Sequence, residues 1–515
     1  MFRIGVDVGG TNTDAVVMSG RDVLAAVKVP TSADVTSGLM EALRAVQVAS
    51  RITAPEVALV VIGTTHFTNA VIERRHLSQT AVVRLCLPAA QCLAPKCDWP
   101  EDLASVVGDH SFLAHGGVEF DGAPISTFLP EEIARIGEQI RARGLTAIAV
   151  SGVFAPIRAD FERRAGEILA KACPGAAITL SSEIGQLGLL ERESATILNS
   201  ALLDLARRTI GALSAGVANC GLRCPVYLSQ NDGTLLDAAR AQRFPVLTFA
   251  SGPTNSMRGA AFLSGKSEAI VLDVGGTTTD VGLLHKGFPR QASTTVDVGG
   301  VRTNFRMPDV FSIGLGGGSI VEDSLPAPRI GPRSVGFEIT RRARVFGGDT
   351  LTATDIAVAA GCAAIGTPAR VAALEPDFVR RCREVIERML ATAVDRSRMS
   401  PEVIPVIAVG GGSILVPERL AGLDVIRPAH FAVANAIGAA IAQTSGEVDR
   451  IYSLDGGLSR EAALADAEGE ARRKAVDSGA LADSLVVTER EDVPLAYLRG
   501  NATRVRVKVV GDMRI

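Results

Sequence analysis

"IGVDVGGTNTDAVV" at residues 4–17 and "IVLDVGGTTTDVGLL" at residues 270–284 are one motif written twice. Both read Asp-Val-Gly-Gly-Thr-x-Thr-Asp in a single register, so Asp7 answers Asp273, Gly9 and Gly10 answer Gly275 and Gly276, and Asp14 answers Asp280. In each copy an apolar strand delivers an aspartate, Gly-Gly-Thr turns the chain, and a second strand leaves. Glycines leave backbone N–H groups uncovered, and such a turn forms a nest for phosphate oxygens. The threonine hydroxyls add donors. An aspartate at the strand end suits Mg²⁺ held through water, because Mg²⁺ keeps much of its hydration shell.

A single Gly-Gly hairpin is more often only a hairpin. A structural turn does not require agreement at Thr11/Thr277, Thr13/Thr279 and Asp14/Asp280 across more than 250 residues of chain. A phosphate chain gripped from two sides does. The phosphate-binding candidates are therefore Gly9, Gly10, Thr11, Asn12 and Thr13 in the first copy, and Gly275, Gly276, Thr277 and Thr278 in the second. Asp7 and Asp273 are the candidates for Mg²⁺ and catalysis. Asp14 and Asp280 either orient water or cap the second strand.

A third glycine run, "VIAVGGGSILVPERL" at 406–420, is a strand entering Gly410-Gly411-Gly412, with a helix expected past Pro417. Glycines there let a flat base and ribose lie against backbone. No G-x-x-x-x-G-K-[ST] occurs, and the doubled motif turns back into a strand, whereas Rossmann glycines open a helix. Strands and helices alternate through both halves, which indicates an α/β protein. "ANAIGAAIA" (434–442) reads as a small-residue helix able to pack close to a neighbour. Residues 461–482 read as an exposed helix, and "RVRVKVV" (504–510) as a strand with one charged face.

The composition narrows the classes. The 515 residues are 47% apolar with a net charge of −3, which gives ample core and no nucleic-acid surface. No apolar run reaches the roughly 18 residues of a membrane span. No basic stretch leads into an apolar one at the N-terminus, which points to the cytoplasm. The eight cysteines form no C-x-x-C pair and read as buried free thiols.

Paired phosphate hairpins, adenosine glycines and a small-residue crossing helix resemble the actin-like ATPase superfamily. That resemblance implies two RNase-H-like lobes with MgATP in the cleft and a small C-terminal α/β extension. The expected division is a first lobe at 1–190 joined by 415–455, a second lobe at 191–414, and the extension at 456–515. Within the superfamily, "RIGVDVGGTNTDAVV", "IGTTHFTNAVIER", "LLERESATILNSALL", "VLDVGGTTTDVGLL" and "IGLGGGSIV" are similar to the ATP-binding A-type subunit of the hydantoinase/oxoprolinase family, in a short form.

The resemblance implies phosphorylation of a cyclic amide or imide oxygen for ring opening. It also implies a second subunit encoded nearby, in a homo- or hetero-oligomer. It places Gly316 and Gly317 near the nucleotide and shifts Thr64, Thr65, His66 and Asn69 toward lining the substrate, against a reading in which a threonine simply caps the helix. Arg302 and Arg306 either steady phosphates or substrate carbonyls, or sit in a solvated loop or subunit contact. Glu191, Arg192 and Glu193 form a cleft-side ion pair or an ordinary helix surface. Two rival functions share the cleft: an ATP-driven reactivating chaperone for a partner enzyme, and a small-molecule kinase.

Overall fold

The computed structural model describes all residues except 31–34, 293–294, 325, 399–402, 456, 497–500 and 515. Two mixed sheets carry the two copies of the motif. The first runs, edge to edge, Leu235–Asp237, Val226–Ser229, Val57–Thr64, Phe2–Val8, Asn12–Ser19, Asp22–Pro30. The second runs Phe288–Pro289, Thr279–His285, Ala269–Val274, Val406–Val409, Leu423–Ile426, Arg419–Leu420, with Val310–Ile313 also paired to Thr279–His285. In both, the aspartate strand lies between its antiparallel hairpin partner and a parallel neighbour. Asp7 stands opposite Asp14 and Gly63, and Asp273 opposite Asp280 and Val409.

Both sheets are covered on two faces, which is why their central strands are near-continuous apolar runs. On the outer face of the first sheet, Ile4, Val6 and Val17 pack against Leu39, Leu43 and Val46 of helix Val35–Ser50. On the outer face of the second, Ile270, Leu272 and Val281 pack against Ile386, Leu390 and Val394 of helix Pro376–Ser397. Each such fully buried aliphatic side chain contributes about 1.5–3 kcal/mol of transfer free energy.

Between the sheets lie two inner helices. Ala436, Ile437 and Ala440 of Ala434–Ala440 cover Val16 and Met18. Met257, Ala260 and Ala261 of Ser251–Ser264 cover Val271, Leu284 and Ile407. The inner helices touch through backbone. A Cβ at Gly259 would overlap the Ala434 carbonyl, and one at Gly438 would overlap the Asn255 carbonyl. The small residues of "ANAIGAAIA" are what permit this approach.

Two further units decorate the frame. A parallel four-stranded sheet, His110–His115, Thr80–Leu87, Ala147–Gly152, Ala177–Leu180, packs on the long helix Leu189–Asn219. A C-terminal sheet has Thr503–Gly511 between Thr444–Tyr452 and Val486–Pro494. Helix Arg460–Asp477 is exposed on one side only, because Ala463, Ala467, Ala471 and Ala475 are buried under Val505, Val507 and Val509.

The expected boundaries shift accordingly. Residues 226–237 complete the first sheet instead of belonging to the second lobe: Val226–Ser229 pairs in parallel with Val57–Thr64, and Leu235–Asp237 pairs antiparallel with Val226–Ser229. Strand Thr444–Tyr452 joins the C-terminal sheet instead of returning to the first lobe. Among the described residues no helix is long and apolar enough to cross a membrane. All eight cysteines are free, but Cys92, Cys97 and Cys362 are exposed, against the expectation of uniform burial.

Candidate active site

The two hairpin tips line one cleft of about 560 Å³ between the sheets. A Cβ at Gly276 would stand 3.1 Å from Thr11 Oγ1, so the tips face each other almost in contact. Each turn closes in the same way: Gly9 N–H donates to the Asn12 carbonyl at 3.1 Å, and Gly275 N–H to the Thr278 carbonyl at 2.9 Å. Asp7, Gly9, Gly10, Thr11, Asn12, Asp273, Gly275, Gly276, Thr277, Thr278, Gly317, Gly410, Gly411 and Gly412 all line this cleft, as do Thr65 and Asn69 at its first-lobe end.

Other expected residues lie elsewhere. Thr13 is buried and alternates to the opposite face of its strand from Asn12 and Asp14. Gly316 lies under the second hairpin, where a Cβ would come within 2.6 Å of Thr277 N; it permits close packing of backbone on backbone. Thr64 is buried: Ser251 Oγ donates to its carbonyl at 2.9 Å, and its own hydroxyl accepts from His66 N–H at 3.2 Å. His66 is half-buried outside the cleft lining, and burial lowers its imidazole pKa.

Arg302 and Arg306 lie outside the cleft lining and have other partners. Arg302 pairs with Asp98 at 3.1 Å on the surface. Arg306 is held by Glu447 at 2.8 Å and Glu489 at 2.7 Å, which ties the C-terminal sheet to the body. Arg192 and Glu193 are neither helix surface nor cleft. They are fully buried; Glu193 accepts from Arg84 Nε at 2.8 Å and Ser151 Oγ at 2.5 Å, and Arg192 Nε donates to Ser181 Oγ at 2.9 Å. This network fastens the inserted sheet to the long helix.

The cleft is strongly acidic. Asp7, Asp14, Asp273 and Asp280 line it together, and Lys28 is the one cationic side chain among the lining residues. Burial, reinforced by Asp14, pushes the Asp7 carboxyl up to about 6. Burial and the neighbouring Asp273 push Asp280 up to about 6 as well. Burial also raises Asp273, and a hydrogen bond from Ser256 partly offsets it. Carboxylates that resist ionisation when crowded and dry fit a divalent cation, which would relieve them. Among the described residues, no group of three or more His, Cys, Asp or Glu side chains is arranged to hold a metal ion by itself. A cation here would therefore be held mainly through water and phosphate oxygens, as Mg²⁺ prefers.

Several contributors lacked any motif. Lys28 Nζ pairs with Asp14 at 2.5 Å from the adjacent strand. Asn435 Nδ2 donates to Asp7 at 3.0 Å and to Asp14 at 2.9 Å. Ser256 reaches Asp273 from the inner helix. At the other end, Ile339, Phe346, Ile365 and Ile414 give the glycine run an apolar border. Only Asn435 carried a sequence signal, as the single polar residue in a helix otherwise written in small and apolar residues.

Comparison with known proteins agrees with this arrangement. Residues 3–173 match the hydantoinase/oxoprolinase N-terminal region, and residues 192–393 match the hydantoinase/oxoprolinase domain. The chain belongs to the hydantoinase/oxoprolinase family. It is 27% identical to the caprolactamase subunit alpha of Pseudomonas jessenii over 387 residues, which is 71% of this chain and 55% of that protein. The chain spans about half the length of the curated relatives it matches. Its fold is shared with the crystal structure of the ATP-dependent caprolactamase from Pseudomonas jessenii, at a TM-score of 0.78 and 20% identity over 99% of this chain and 88% of that one. Nucleotide-free acetone carboxylase shares it at a TM-score of 0.71 and 15% identity over 100% of this chain and 88% of that one. The paired sheets and their facing hairpins are thus the two-lobed, actin-like ATPase fold.

Proposed function

We propose that this hydantoinase/oxoprolinase chain is the ATP-binding subunit of an ATP-dependent hydrolase. It would phosphorylate the carbonyl oxygen of a cyclic amide or imide, such as a lactam, hydantoin or 5-oxoproline-like ring, so that water can open it. The observation that carries this reading is the facing pair of aspartate hairpins across a single cleft. On this reading the triphosphate would lie between Gly9–Asn12 and Gly275–Thr278, and the adenosine would rest on Gly410–Gly412 beside Phe346 and Ile414.

An amide resists water because resonance stabilises its carbonyl. Moving the γ-phosphoryl group onto that oxygen converts it into a leaving group. Such transfer needs positioning and charge neutralisation more than covalent help from the protein. The backbone N–H groups at the two tips orient the phosphates. Asp7 and Asp273 would hold the hydrated Mg²⁺ that accompanies ATP, which would supply charge neutralisation at the phosphates. Thr65 and Asn69 line the first-lobe end, where an acceptor ring would enter. A second subunit completes the hydrolysis; the caprolactamase relative is itself named as a subunit. The eight free thiols support a cytoplasmic location.

The test is a panel of lactams and hydantoins screened for stimulated ADP release, with and without the protein encoded alongside. A ring-opened product with ADP and phosphate supports the reading. A stable phosphorylated product would make the protein a small-molecule kinase. ATP hydrolysis that responds only to a partner enzyme would make it a reactivating switch.

A further inference from the structure

Asn255 lies wholly inside the protein on the inner helix Ser251–Ser264. Its Nδ2 points at Asp7 Oδ1 at 3.5 Å. Its Oδ1 is buried with no hydrogen-bond partner. A buried amide with one long contact and one orphaned acceptor weakens a fold compared with a small apolar residue at the same place. The position therefore gains nothing in stability from being asparagine.

The surroundings are nevertheless shaped around it. Gly63, directly across the sheet from Asp7, leaves room for both groups; a Cβ there would overlap Asp7 Oδ1 and Asn255 Nδ2. On the other side Asn435, from helix Ala434–Ala440, donates to Asp7 Oδ2 at 3.0 Å. Each oxygen of one carboxylate is thus faced by an amide donor, and the two donors come from the two inner helices. Those helices touch where the Asn255 carbonyl abuts Gly438, so the angle between them sets the distance between the amides.

We propose that Asn255 is a positioning residue that, with Asn435, fixes the orientation of the Asp7 carboxylate toward the divalent cation accompanying a bound nucleotide. This rests on the nucleotide reading above. Asn255 does not line the cleft, so it acts through Asp7. It makes the metal-binding geometry of the first hairpin depend on the helix crossing. Partners of this kind typically alter metal affinity or activity by about 10–100-fold when removed.

The experiment compares the full-length protein with Asn255→Ala, and with Asn255→Ser in case the alanine variant does not fold. Calorimetry measures ADP binding as Mg²⁺ is titrated, and again in EDTA; thermal unfolding is followed without ligand. The expected result is a rise of about tenfold in the Mg²⁺ needed for half-maximal ADP binding. ADP affinity in EDTA stays unchanged, and the unligated melting temperature is equal or higher. A lower melting temperature with an unchanged Mg²⁺ requirement would make Asn255 a packing residue and overturn the proposal. Equal weakening with and without Mg²⁺ would also overturn it. If the unaltered protein binds no ADP under any condition, the nucleotide reading itself falls and this inference goes with it.

Discussion

The two hairpins have the same backbone and different electrostatic surroundings. In the first sheet the strand beside Asp14 places Lys28 directly opposite it, and the two form an ion pair at 2.5 Å. In the second sheet the strand beside Asp280 places Ser312 in the equivalent position, and Ser312 Oγ donates a hydrogen bond to Asp280. Asp7 is gripped by amides from both inner helices, and Asp273 by the hydroxyl of Ser256. The first copy is a carboxylate pair tied down by protein groups. The second has no cation of its own. A motif repeated in sequence thus fixes geometry twice, while the neighbouring strand decides how much charge each copy leaves for a ligand to neutralise.

The largest effect should come from removing the shared element. Asp273→Asn is expected to reduce ATP turnover by at least about 10³-fold if the carboxylate holds the metal. Because burial raises the Asp273 pKa, its ionised form is already disfavoured in the fold, so the neutral isostere should melt at the same temperature or higher. Asp7→Asn should behave alike. Coupled ADP release and thermal unfolding measure both; a large loss of stability in either variant would show these aspartates to be structural.

Next in size is Gly63→Ala. The new methyl meets Asp7 and Asn255 in the first copy, and the second copy has Val409 at the parallel position. Displacing Asp7 should lower turnover about 100-fold, since misplacement by an ångström is enough. Overpacking should cost about 1–3 kcal/mol in chemical unfolding. Unchanged turnover would mean that the first hairpin tolerates movement the second does not.

The sequence carried the hairpins because a strand–turn–strand with fixed glycines is local, and the register Asp7↔Asp14 and Asp273↔Asp280 follows from it. Strand Phe2–Val8 was likewise legible as an apolar strand. The rest was set by tertiary placement. Nothing near Lys28 announces that it faces Asp14. Arg306 lies close in sequence to a glycine cluster, yet it closes an ion pair with strands beginning more than 130 residues later. Arg192 and Glu193 read as a cleft-side ion pair or as ordinary helix surface; the inserted sheet buries them instead. Thr13 could have been excluded from the site by strand alternation alone.

Exchanging the neighbours sharpens the contrast further. Lys28→Met should lower the stability of the unligated protein by about 1–2 kcal/mol at pH 7.5: it leaves the buried Asp14 with only the Asn435 amide and no cation, while Lys28 itself is one-third exposed and partly screened. Ser312→Lys should do the reverse at Asp280, raising unligated stability by about 1 kcal/mol. Both are read by urea unfolding. If the two changes shift stability in the same direction, the charge difference between the hairpins is not what distinguishes them.

The last effect, spread over both hairpins, is the pH dependence the aspartates impose together. Asp7 and Asp280 are both pushed from 3.8 up to about 6, so between those values the folded protein binds more protons than the unfolded chain. Stability therefore falls as pH rises from about 4 to about 6, and stays lower above it. The full shifts would be worth about 3 kcal/mol each. Asp280 is only partly shielded from solvent, so about 1–3 kcal/mol for the pair is the reasonable expectation. Asp232, held down to about 2 with Lys508 as its charge partner, acts in the opposite sense and mostly at more acidic pH. Binding of MgADP should remove the slope between pH 4 and 6, because a cation at the cleft favours the ionised carboxylates and releases their protons. Stabilisation by MgADP should accordingly be greater at pH 7.5 than at pH 5. A nucleotide shift in melting temperature that is flat across this range would mean that the acidic cleft and the phosphate tips are not one site.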